Sequence, residues 1–165
     1  MRRAAAVPDL IWSPAIVAGV ILAVGGIGSL VGQPWLFASL GPTAYLLAHS
    51  PSQASARPYN VIAGHLIGLC AAFAAVAALG ARDAPSVFTT HELVGSRVVA
   101  SGLALIVAVA VELLVKASHP PAAATVLLIT LGGLPMSLQT ASTIVIGVLL
   151  IVLIAEPLRR LRTAS

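Results

Sequence analysis

His119 stands at a break, in Ser118-His119-Pro120-Pro121, between two apolar runs. Imidazole changes charge near neutral pH. A neutral ring there would donate to an anion, and a protonated ring would hold one. The competing role is a helix cap, with the ring bonding the last carbonyls of the run before it. Glu112 and Lys116 lie four residues apart just upstream, a spacing that lets them pair on one helix face. An ionisable group within a membrane span usually faces the interior and is functional. If the span stops early, the pair is merely interfacial. His65 sits in Gly64-His65-Leu66-Ile67-Gly68, one turn into another apolar run. It either lines a polar interior or bonds a neighbouring helix. Arg57, just ahead of that run, either draws anions to an entrance or snorkels to head groups. These four, His65, Glu112, Lys116 and Arg57, are the candidates for a pore or for proton coupling.

A second pattern involves the prolines. Ser39-Leu40-Gly41-Pro42-Thr43-Ala44 and Ser118-His119-Pro120-Pro121-Ala122-Ala123 share the serine, the second proline position and the final alanine. Proline suits the first position of a helix, where its fixed φ is already helical and its missing N–H is not needed. Ser39 and Ser118 stand where a hydroxyl caps free amides. Pro120 pushes His119 out of helical geometry. Each motif therefore starts a helix, and a helix N-terminus attracts anions through free N–H groups and partial positive charge. Two such ends facing each other would form an anion site from Ser39, Gly41, Pro42 and Thr43 on one side and Ser118, His119, Pro121 and Ala122 on the other. Backbone amides would do most of the binding and His119 would tune it. The plain alternative is that both short helices only fill space. Catalysis is not expected. The histidines at 49, 65, 91 and 119 lack metal-ligand spacing, and no nucleophile elbow, phosphate loop or carboxylate pair is present. No metal and no cofactor is implied.

The elements that must position these residues are helices in a membrane. Of 165 residues, 59% are hydrophobic and 8% charged, against about a quarter charged in soluble domains. Four apolar runs are long enough to span a bilayer: Pro14 to Val31, Asn60 to Leu79, Val94 to Val115 and Leu138 to Ala155. Span three is expected to stop near Ser118. Two leftover pieces, Pro34 to His49 and Pro121 to Leu131, are half that useful length and are expected as re-entrant half-helices. Ala81 to Leu93 is the clearest polar loop. The fold class is thus all-α, with four transmembrane helices and two half-helices in a single domain. The segments 14–79 and 94–158 read either as two parallel copies of span, half-helix, span, or as a chance match in alanine-rich sequence.

Arg2 and Arg3 at one end, and Arg159, Arg160 and Arg162 at the other, place both termini in the cytoplasm by the positive-inside rule. The first apolar run is too long for a signal peptide and is expected to be retained in the inner (plasma) membrane. Cys70 is the one cysteine and cannot form an internal disulfide. The basic residues flank spans without aromatic interleaving, so nucleic acid is not an expected partner. The expected partners are a small inorganic anion, the lipid bilayer and further copies of the chain, with Gly64, Gly68, Ala100, Ala104 and Ala108 as packing faces for a homo-oligomer.

The ordered set Gly41-Pro42-Thr43-Ala44, Arg57-Pro58-Tyr59-Asn60, Gly64-His65 and His119-Pro120-Pro121, spread over Trp35 to Leu134, resembles the HPP family of small integral membrane proteins. The resemblance implies a four-span protein. Some chloroplast and cyanobacterial members are linked to nitrite transport, so it also implies nitrite or a similar small anion as cargo. The C-terminal nucleotide-binding repeats of some members have no counterpart in these residues. The sequence thus points to a transporter or channel for a small monovalent anion, nitrite or nitrate first. A non-transporting scaffold or sensor subunit, and a carrier of a small neutral solute, are the rivals.

Overall fold

The computed structural model describes residues 7–164, and those residues are helical with short connections. Four helices are long: α1 (Asp9–Leu30), α3 (Pro58–Ala78), α5 (Gly95–Leu114) and α7 (Leu138–Ala164). Two are short, α2 (Leu40–His49) and α6 (Ala122–Thr130), and a single turn, α4 (Val87–Thr90), lies in the polar loop. At 1.5 Å per residue, even the shortest long helix extends about 30 Å, the thickness of a bilayer's hydrocarbon core. All four long helices are apolar enough to cross it. The chain is a multi-pass membrane protein. Arg2 and Arg3 lie outside the described residues.

The expected spans are present, with three shifts in their bounds. α1 begins before Pro14, which lies inside the helix. α5 ends at Leu114, short of Ser118. There the chain closes a Schellman turn. Lys116 takes φ 55°, its N–H donates to Leu113 O at 3.3 Å, and the Ala117 N–H donates to Glu112 O at 2.8 Å. α7 runs past Ala155, because Glu156 binds both Arg159 and Arg160 along the helix and keeps the polar turns wound.

Side-chain contacts show which helix ends lie together. Arg162 bonds Asp9 and the Val7 carbonyl, Arg159 donates to Pro51 O, and Tyr59 donates to Val115 O. Pro58 shares a groove with Glu156 and Arg160. One end of the bundle therefore collects the start of α1, the end of α2, the start of α3 and the ends of α5 and α7. The opposite end holds the polar loop, the start of α5 and the end of α6, tied by Arg97, which donates to Ala84 O, Pro85 O and Thr130 O.

This arrangement changes the expected relation between the halves. After α1, residues 31–39 and α2 together carry the chain back to the terminal end. After α5, residues 115–121 and α6 carry it to the loop end. Each half thus makes three passes, and the halves run in opposite directions. Parallel copies would require each short helix to leave by the side it entered. The burial pattern follows the two halves. Leu40, Thr43, Ala44, Leu47 and Ala48 of α2 fall in register with Ala122, Thr125, Val126, Ile129 and Thr130 of α6, all buried. Val61, Gly64, His65, Gly68, Leu69, Ala72 and Val76 of α3 match Thr140, Thr143, Ile144, Gly147, Val148, Ile151 and Ala155 of α7 in the same way. In this register Thr43 is the counterpart of Thr125, whereas the proline motifs had paired Thr43 with Ala122.

Small residues set the close approaches. A Cβ on Gly64 would lie 2.6 Å from the His119 Cβ, and one on Gly68 would lie 3.2 Å from the Ala122 carbonyl oxygen. Ala100, Ala104 and Ala108 are likewise buried within the chain. The faces expected to pack against other copies are therefore occupied internally, which removes them as the basis for oligomerisation.

Candidate functional site

The N-terminal ends of α2, which packs along α1 and α7, and of α6, which packs along α3 and α5, meet in opposite directions at His65 of α3. Ser39, just before α2, reaches Thr125 one turn into α6, with the hydroxyl oxygens 2.7 Å apart. Thr43, one turn into α2, reaches His119, just before α6, at 3.1 Å from Nε2. His65 of α3 lies between them: Nε2 is 3.0 Å from Thr43 Oγ1 and Nδ1 is 2.7 Å from Thr125 Oγ1. The two threonines equivalent by burial thus bracket one imidazole. Thr43 also donates toward Ser39 O at 3.0 Å. His119 Nδ1 lies 2.8 Å from Ser55 O, and because a carbonyl only accepts, Nδ1 carries the hydrogen. The imidazole centroids are 5.0 Å apart, and Phe37 meets His65 edge-on. Ser39, Thr43, His65, His119 and Thr125 are all fully buried.

Glu112 joins this cluster to the outside. Its Oε2 accepts the His119 backbone N–H at 3.0 Å. Glu112 also lines a cleft of about 500 Å³ at the terminal end, together with Gln53, Ser55, Asn60, Lys116 and Ser118. It also lines a cavity of about 40 Å³ with His119 and the apolar Leu105, Ala108, Val109, Pro120 and Ala123. One carboxylate therefore borders both an open polar cleft and a small space that touches the buried histidine. Asn60 holds the cleft wall by donating to Lys116 O at 3.3 Å and Ser118 O at 3.1 Å.

Several expectations about these residues are corrected. Leu40 starts α2, so Pro42 is the third helical residue and not the first, whereas Pro121, with helical φ −58° and ψ −22°, stands at the start of α6 as expected. The Ser39 hydroxyl does not cap its own helix; it crosses to Thr125. The first amides are not free. Leu40 N donates to Phe37 O, Gly41 N to Ala38 O and Thr43 N to Ser39 O. Ala122 N donates to His119 O, Ala123 N to Pro120 O and Ala124 N to Pro121 O. Pro42, Pro120 and Pro121 have no N–H to offer. The cradle of backbone amides is therefore closed by the chain itself, and the polar atoms that remain are side chains. Nor does Glu112 pair with Lys116, because the left-handed turn at Lys116 takes that residue off the helix face. His119 does not cap α5; its ring points to Thr43 and Ser55.

Of the predicted site residues, Ser39, Thr43, His65 and His119 come together, and Pro121 and Ala122 are buried beside them. Ser118 and Lys116 are exposed at the cleft, Pro42 is exposed, and Gly41 is partly buried. Arg57 is exposed and forms no part of the cluster. Thr125, Asn60 and Ser55 were not anticipated. Thr125 carried one signal, a hydroxyl one turn after a proline break in an otherwise apolar helix.

A family model described as "HPP, transmembrane region" matches residues 2–165. No curated protein and no solved structure matches the chain. The match covers essentially the whole sequence and includes His119-Pro120-Pro121, of which His119 and Pro121 are buried at the crossing, so the chain belongs to the HPP transmembrane family.

Proposed function

We propose that this protein carries a small monovalent anion, nitrite or nitrate first, across the plasma membrane, as a transporter and not an enzyme. The observation that carries this is the fully buried network of Ser39, Thr43, His65, Thr125 and His119 at the crossing of two short helices. Polar groups in an apolar interior are costly to bury and are kept where they pair or serve a pathway. Here they meet where two helices start, the arrangement that places substrate sites near the bilayer midplane in transporters. On this reading α2 and α6 are half-helices that, with residues 31–39 and 115–121, complete a crossing and are not re-entrant as the sequence suggested, and the two halves are inverted repeats that rock about the cluster.

An anion fits better than a cation. Two helix N-termini converge on the cluster with partial positive charge. Lys116 stands at the cleft without an ion pair among the described residues. Because the backbone amides are occupied, an anion would have to draw the hydroxyls of Thr43 and Thr125 and the ring N–H groups away from the partners they now hold. The family resemblance supports nitrite. The arginines that close α7 favour the terminal end as the cytoplasmic one.

Ligand-dependent thermal stability of the purified protein tests binding. Nitrite and nitrate should raise the unfolding temperature saturably, since a ligand present at 100 times its Kd adds about 2.7 kcal/mol. Thr43→Val should abolish the rise. An equal rise with any sodium salt would contradict a specific anion site, and a rise with urea-sized neutral solutes alone would favour the neutral carrier.

A further inference from the structure

We infer that His119 Nε2 binds one proton, reached from the cleft through Glu112, and that this proton accompanies the anion; the second part rests on the transport reading above. The inference comes from counting hydrogens in the buried cluster. Six contacts each require one hydrogen: Ser39 Oγ to Thr125 Oγ1, Thr125 Oγ1 to His65 Nδ1, His65 Nε2 to Thr43 Oγ1, Thr43 Oγ1 to His119 Nε2, Thr43 Oγ1 to Ser39 O, and His119 Nδ1 to Ser55 O. Three hydroxyls and two neutral imidazoles supply only five.

The location of the shortage is fixed. Ser55 O can only accept, so it takes the one hydrogen of neutral His119 and leaves Nε2 as an acceptor. Ser39 O also only accepts. Thr43 must then donate to both Ser39 O and His119 Nε2, and it has one hydrogen. A proton on His65 does not help, because Thr43 still faces two acceptors. A proton on His119 Nε2 resolves all six contacts. Nε2–H donates to Thr43, Thr43 donates to Ser39 O, and His65 Nε2–H donates to the second lone pair of Thr43. Thr125 donates to His65 Nδ1, and Ser39 donates to Thr125. The step makes one N–H bond at the ring and breaks one O–H bond of hydronium or of the Glu112 carboxyl.

The surroundings suit a proton that is taken up and released. Full burial and the two helix N-termini oppose a charge on the ring. The charged or titratable groups around it are Glu112 from α5, His65 from α3, and Lys116 in the turn after α5. Among the described residues, α2 and α6 send no charged side chain to it. The Glu112 carboxylate, fixed on the His119 N–H, supplies the counter-charge, and its Oε1 takes no hydrogen bond from the described residues. Glu112 and His119 both line the 40 Å³ cavity, whose other walls are apolar, and it is large enough for one water. An anion entering with the proton would supply a further negative charge, so proton and anion favour each other's entry.

The test is ¹⁵N NMR of imidazole-labelled protein in lipid, in a His49→Gln, His91→Asn background that leaves only His65 and His119. Between about pH 8 and about pH 5, the range of histidine switching, one ring should gain the signature of two protonated nitrogens. That signature should vanish in His119→Gln and move to lower pH in Thr43→Val and in Glu112→Gln. A His119 that stays singly protonated throughout, or a charged His65 in its place, overturns the inference. If His119→Gln does not fold, the Thr43→Val shift decides, and an unmoved signal overturns it. Nitrite uptake is measured on the same samples: a titrating His119 without any nitrite flux would refute the transport reading and leave the proton site standing.

Discussion

At the scale of the residue, the proposed function rests on Thr43, which is in contact with Ser39 O, His65 and His119. Thr43→Ser keeps the hydroxyl and should preserve transport, while Thr43→Val keeps the shape and should lose at least tenfold in rate; initial uptake rates in vesicles compare them. Gly64 offers a separate test of packing. A methyl group there meets His119 Cβ, the first atom of its side chain, which cannot swing away. Gly64→Ala should cost about 1–3 kcal/mol and displace the imidazole, read as a lower unfolding temperature with lost transport. Much of the cluster was legible beforehand: His119, His65, Thr43 and Ser39 stood out as polar residues in apolar sequence. What was hidden was who meets whom. Thr125 and Ser55 join through contacts between segments far apart in the chain, and a threonine in an apolar helix looks the same whether it bonds its own backbone or a distant imidazole.

At the scale of the element, the four long helices were readable from length and hydropathy, and the two short ones from prolines too close to the next span. Their ends were less readable, because caps depend on local geometry. A Schellman turn with lysine at its left-handed position has no glycine to announce it, so the break was expected near Ser118, although the expected span end at Val115 lies one residue from Leu114. The proline motifs suggested free helix starts, but upstream carbonyls fold back onto those amides. Arg97 was not singled out at all, yet it holds the loop end together. Its guanidinium gives hydrogen bonds to Pro85 O at 3.0 Å, Thr130 O at 2.9 Å and Ala84 O at 2.6 Å, closing the C-terminal end of α6. Arg97→Met strands those carbonyls and should cost about 2–3 kcal/mol. Arg97→Lys keeps the charge without the fork and should recover only part of it. Thermal unfolding in detergent, with protease cleavage in the 79–94 segment, measures both.

At the scale of the whole molecule, an even number of long spans was readable and the relation of the halves was not. A short helix that returns to its own side and one that completes a crossing have the same length and the same proline. Only the ion pairs and backbone contacts at the two ends separate them. Opposed halves with matching buried faces favour a carrier that exposes its centre to each side in turn. In a Cys70→Ala background, cysteines at Ser52 and Thr163 should react with an impermeant thiol reagent from one side, and a cysteine at Thr90 from the other. Reaction of all three from one side would contradict the arrangement. The most direct measurement is nitrite uptake into liposomes holding the purified protein, with and without an inward proton gradient, against protein-free liposomes. Saturable uptake, faster with the external solution acidic and reduced by nitrate, is the predicted result. No uptake of any small anion by folded protein in either gradient would contradict the account and leave the buried histidines as packing in a membrane scaffold.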